Sequence, residues 1–117
     1  MPSGRILIIA PNPDLRGSMA FALEAEGFEV SGRDELPDYS WVARQGYDCT
    51  VLDQRALHGA DYQSIAFCVK AYPVVLLAAR PHSWLVEWVT DIVDMPVIGN
   101  AISDAVQHAL QLKGAAN

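Results

Sequence analysis

The chain has 117 residues, 51% of them apolar and 19% charged, which is enough apolar material for one folded domain with its own core and too much for a disordered chain. Eight basic side chains against fourteen acidic ones give a formal charge of −6, which argues against nucleic-acid binding by this domain. Its apolar stretches break well before the roughly 20 residues that a spanning helix needs, so no membrane role is expected and a cytoplasmic protein is.

Read in order, short apolar runs alternate with helical spacing. Met1-Pro2-Ser3-Gly4 leads straight into a strand pattern, Arg5-Ile6-Leu7-Ile8-Ile9, and not into a signal peptide. Asn12 is then a good N-cap, Pro13 suits the first helical position, Leu15, Met19, Ala22 and Leu23 form one apolar stripe, and Gly27 closes the helix. Phe28-Glu29-Val30 is a second strand, followed by a helix from Pro37 to Arg44 that ends at Gly46. Cys49-Thr50-Val51-Leu52 is a third strand, with Asp53 at its end, and Tyr62 to Ala71 a third helix stopped before Pro73. Val74-Val75-Leu76-Leu77 is the fourth strand, Ser83 caps a short helix through Val89, and Ile92-Val93 is the fifth strand. Asn100 caps a last helix through Leu112, with Ile102, Val106, Ala109 and Leu110 inward.

Five β/α pairs with short, mostly continuous apolar strands predict a flavodoxin-like (βα)5 domain over residues 1–112: an α/β three-layer, doubly wound parallel sheet of five strands. Residues 113–117 are expected to be a tail or the start of a linker. In such folds the chemistry lies at the carboxyl ends of the strands, where Asp53 is placed. The two cysteines, Cys49 and Cys68, have no metal-ligand spacing and read as small core hydrophobes. His58, His82 and His108 fall on separate elements and suggest no metal site. Nucleophile-elbow, dinucleotide-turn and Walker patterns are all missing from the sequence, so no enzyme activity is expected.

The run from Arg5 to Arg16, the helix continuing into Ala20-Phe21-Ala22-Leu23-Glu24-Ala25-Glu26-Gly27-Phe28-Glu29-Val30, and Gly46 to Asp53 resemble response-regulator receiver domains, as do Val74 to Arg80 and Asp94-Met95-Pro96-Val97. The resemblance covers nearly the whole chain and places Asp53 at the phosphoacceptor position. It implies a signal-transduction domain of the two-component, phosphorelay type. Members hold a divalent cation, normally magnesium, with two acids after the first strand; here Ala10 and Pro11 stand in those places, followed by Asn12. The hydroxyl residue after the fourth strand aligns with Ala78, the lysine before the loop proline with Met95, and the aromatic switch residue with Ile92.

Magnesium prefers oxygen ligands, and losing even one preorganised donor costs about 3 kcal/mol of transition-state stabilisation in phosphoryl transfer. The expectation is therefore a degenerate receiver, or pseudoreceiver, with no cofactor and no magnesium. Arg55 and Arg80 could turn toward the pocket and supply charge, or be solvated loop residues. Asp53 could equally cap a turn or helix, or be an inherited acid with a salt-bridge partner. Trp84 and Trp88, four apart on the predicted short helix, either pack under a shortened loop or anchor a partner. In receiver domains the fourth helix, fifth strand and fifth helix resemble a shared surface, so the expected partner is another signalling protein or a second copy in a homodimer. One alternative is a phosphorelay receiver phosphorylated on Asp53 by a histidine kinase with unusual pocket chemistry. Another is a small α/β module that binds a small molecule in the space left by Ala10, Pro11, Ala78 and Met95.

Overall fold

In the structure, a computed structural model, residues 4–58 and 61–115 are described. The elements follow in the order β1 (Arg5–Ile9), α1 (Pro13–Ala25), β2 (Glu29–Arg33), α2 (Tyr39–Gln45), β3 (Cys49–Asp53), α3 (Asp61–Lys70), β4 (Val74–Leu77), β5 (Asp91–Val93) and α4 (Ala101–Ala115). The strands form one parallel sheet in the order β2-β1-β3-β4-β5, the arrangement of flavodoxin-like folds, in which the strand order reverses beside β1 and β3.

Alternation along the strands divides the core in two. Ile6, Ile8, Val51, Val75 and Leu77 pack with Met19 and Leu23 of α1 and with Ile102, Val106 and Ala109 of α4. On the opposite face Leu7, Ile9, Leu52, Val74 and Leu76 pack with Val42 of α2, Phe67 and Cys68 of α3, and Leu85. Because both faces are covered, β1, β3 and β4 read as unbroken apolar runs. No helix among the described residues is long and apolar enough to cross a membrane.

Local chemistry explains most helix ends. Asn12 accepts hydrogen bonds from the Asp14 and Leu15 amides, and Pro13 opens α1. Asp38 caps α2 by accepting from the Ser40 amide, so that helix starts after Pro37 and not at it. Gly46 ends α2 with φ at +70°, a left-handed conformation that glycine adopts without strain.

Four expectations change. Ala22 is exposed, and the inward stripe of α1 is Leu15, Met19 and Leu23, one residue per turn, beside Ala20. β2 runs on to Arg33, because Ser31, Gly32 and Arg33 pair with Leu7, Ile8 and Ile9; as an edge strand it tolerates polar residues that resemble a loop in sequence. α4 continues past Leu112, and Lys113 donates to the Tyr47 carbonyl and the Asp48 carboxylate, so residues 113–115 extend the helix where a tail was expected; 116 and 117 lie outside the described residues.

The fourth correction is the largest. No α-helix spans Ser83 to Val89: the β4–β5 connection holds only a 3-10 turn, Val86–Trp88, and among the described residues the sheet carries four α-helices, not five. The connection is pinned by fully buried Leu85 and by paired bonds between Thr90 and Val74, and this packing overrides the helical spacing of its sequence.

Burial pushes both thiols up, Cys49 and Cys68 each from 9.0 to about 12. A raised folded-state pKa contributes stability below pH 9.0 that is lost as pH rises toward about 12. Urea midpoints should therefore fall across that window, less steeply in Cys49→Ala/Cys68→Ala, and both native thiols should resist a thiol reagent at neutral pH while reacting in denaturant.

Candidate functional site

At the carboxyl edge of the sheet Asp53 ends β3 with 1% of its surface exposed. A buried carboxylate needs partners, and it has found them locally. The Arg55 amide donates to Asp53 Oδ1 at 2.9 Å, capping the 3-10 turn Gln54–Ala56. The Arg55 guanidinium lies across both oxygens: Nε donates to Oδ1 at 3.1 Å and to Oδ2 at 3.2 Å, and Nη2 donates to Oδ2 at 2.7 Å. The hydrogen bonds to Asp53, then its charge, raise the Arg55 pKa further. The two readings of Asp53 from sequence, turn cap and charge partner, therefore hold together.

The residues around it are engaged elsewhere. Ala10 is fully buried in the core under α1 and α4, and Ala78 is buried on the opposite face. Pro11 is exposed. Asn12 spends its side-chain oxygen on the α1 cap. Ile92 packs on the α3 side, and Met95 on the α4 side, before Pro96.

Arg16, not singled out from sequence, donates from Nη1 to the Ala10 carbonyl at 2.7 Å. Its stem crosses Gly32 of β2, where an added Cβ would come within 3.2 Å of Arg16 Cδ. The signal was an arginine one turn into α1 facing a glycine in an edge strand, which only the register reveals. A cation thus sits on the backbone beside the positions of the family's acid pair.

A divalent-ion site requires converging oxygens. Ala10 and Pro11 supply no side-chain oxygen, that of Asn12 is committed, and both of Asp53's are bound by Arg55; these residues do not fit such a site. Among the described residues no group of three or more histidine, cysteine, aspartate or glutamate side chains is placed to hold a metal.

Arg80 is exposed, and its carbonyl, not its guanidinium, is what joins the site. Gln54, also missed from sequence, donates from Nε2 to that carbonyl at 3.0 Å and accepts from the His82 amide at 2.8 Å. One amide side chain thus ties the turn after Asp53 to the β4–β5 connection. Trp84 is half-buried against the core and stacked on His82, with ring centroids 5.2 Å apart, whereas Trp88 lies in the 3-10 turn and is 37% exposed. The two tryptophans do not share a helical face.

Two of the clefts among the described residues stand out, and neither is lined by Ala10, Pro11 or Ala78. One, of about 560 Å3, runs along β5 and α4 past Met95, Ile98 and His108. The other, of about 510 Å3, lies between α2 and α3.

No family model and no curated protein matches the sequence. Solved structures do match the fold. A chemotaxis protein of Vibrio cholerae aligns over 93% of this chain and all of its own, with a TM-score of 0.70 and 14% identity. The signal receiver domain of a modulated diguanylate cyclase from Desulfovibrio desulfuricans aligns over 99% of this chain and all of its own, with a TM-score of 0.74 and 12% identity. The N-terminal domain of a response regulator from Carboxydothermus hydrogenoformans aligns over 96% of this chain and 98% of its own, with a TM-score of 0.72 and 20% identity. With its 2-1-3-4-5 parallel sheet and an acid at the end of β3, this chain has the fold of response-regulator receiver domains.

Proposed function

We propose that this chain is a pseudoreceiver: a cytoplasmic, non-enzymatic signalling domain that works by protein–protein contact and without magnesium-assisted phosphorylation of Asp53. The observation that carries this reading is the clasp of Arg55 on both oxygens of the buried Asp53 carboxylate. Phosphoryl transfer to that carboxylate needs a free oxygen as nucleophile and positive charge around the transferring group. Here the oxygens are occupied, and the metal, hydroxyl and lysine positions are Ala10, Pro11, Ala78 and Met95.

Without the family's hydroxyl and aromatic positions, the state of residue 53 has no relay to the surface, so the surface holds one bias. It offers a signalling partner or a second copy the exposed Trp88 and, beside α4, Ile98 at 73% exposure. Incubation with a small-molecule phosphodonor and magnesium should label the protein no more than it labels Asp53→Asn. Rapid stoichiometric labelling of Asp53 would overturn the reading.

A second reading rests on the same contact. Arg55 is 58% exposed at its side chain and could swing from the carboxylate to a phosphoryl group delivered by a histidine kinase. Kinase transfer lost in Asp53→Asn and slowed in Arg55→Ala would favour it.

A further inference from the structure

The cleft between α2 and α3 lies on the face of the sheet away from α1 and α4. Its floor is apolar and buried, made by Pro37, Ala56 and Phe67. Its rim carries two tyrosines, Tyr39 at 44% and Tyr62 at 70% exposure, two carboxylates, Glu35 and Asp38, and the exposed His58 and Gln63. Among the described residues no lysine or arginine lines it. Among the described residues neither carboxylate is in an ion pair, and Asp38 uses Oδ1 to cap α2.

Unpaired acids beside exposed aromatic faces suit a planar, delocalised cation. A guanidinium stacks on tyrosine rings and forks to carboxylates, which a compact ammonium does less well. The volume, about 510 Å3, falls within the range of single-ligand pockets. A free small molecule, however, needs most of its surface enclosed, and this rim stands largely in solvent. A side chain delivered by a polypeptide, with its flanking backbone resting on the rim, does not.

We propose that the α2–α3 cleft docks an arginine side chain of a partner protein, drawn to a domain of net charge −6. This goes beyond the pseudoreceiver reading and does not depend on it: Ala56 on the cleft floor belongs to the turn capped by Asp53, but neither rim carboxylate is hydrogen-bonded to or ion-paired with Asp53 or Arg55.

The test is an NMR titration of the full chain with N-acetyl-arginine amide, its neutral citrulline counterpart, and a short glycine-flanked peptide carrying one arginine. Amide shifts should be confined to residues 35–39, 56–58 and 62–67, with citrulline binding about tenfold more weakly and the peptide more tightly than the amide. Glu35→Gln/Asp38→Asn should weaken arginine binding about tenfold while keeping the α2 cap, since asparagine caps as well as aspartate. Tyr62→Ala, at an exposed position, should weaken it without touching either charge.

Equal binding of citrulline, shifts scattered over the acidic surface, or no shifts at all would overturn the proposal. Tight binding of the amide with no gain in the peptide would overturn it too, in favour of a small-cation site.

Discussion

Leu85→Ala should lower the unfolding free energy by about 2–5 kcal/mol, a large share of the roughly 5–15 kcal/mol that holds a domain of this size together. Leu85 is fully buried and belongs to the cluster formed with Phe67 of α3 and Leu76 of β4. It also organises the connection around itself: its amide donates to the His82 carbonyl at 2.9 Å, and its own carbonyl accepts from the Trp88 amide at 2.9 Å. It is the one fully buried side chain of the connection, with Trp84 and Val89 packed against the same cluster. Val86→Ala, next in sequence but 43% exposed, should change stability by no more than about 0.5 kcal/mol. Urea denaturation followed by tryptophan fluorescence reads both, because Trp84 and Trp88 flank the anchor. A loss below about 1 kcal/mol in Leu85→Ala would mean that the connection is not held as described.

Arg55→Ala should cost about 2 kcal/mol, and adding Asp53→Asn should recover most of it. Breaking a fully buried ion pair costs more, about 3–5 kcal/mol, because it strands a charge. Here Arg55 is largely exposed and water can reach the side it leaves, so the penalty is reduced. Asp53 itself, 1% exposed, would keep only the residue-55 amide as a donor. Asparagine removes the charge yet still accepts that amide, which is why the double variant should be the more stable of the two. If Arg55→Ala is neutral and Asp53→Asn adds nothing, the pair is incidental.

The sheet was legible because its strands are covered on both faces and therefore apolar without interruption, and α1 because Asn12, Pro13 and Gly27 mark its ends. Edge strand β2 was only half legible: Ser31, Gly32 and Arg33 owe their strand conformation to pairing with β1, not to their own pattern. The β4–β5 connection misled for a physical reason. Trp84, Leu85 and Trp88 have helical spacing, but tertiary packing of one leucine overrode it.

At the site, the loss of oxygens at Ala10, Pro11 and Ala78 could be read directly from residue types. The pairing of Arg55 with Asp53 was open, since a two-residue spacing allows it without requiring it, whereas Arg80 meets the site only through its carbonyl. Arg16 and Gln54 were invisible, because each acts on backbone carbonyls brought near by the fold.

The most direct test of the central claim is an NMR titration with magnesium together with a phosphoryl mimic, following the amides of residues 10–12, 53–55 and 78–80. With Asp53 clasped by Arg55 and Ala10 and Pro11 in the acid-pair positions, these resonances should stay where they are in saturating magnesium, with or without the mimic. A saturable shift at Asp53 that needs both additives together would contradict the account.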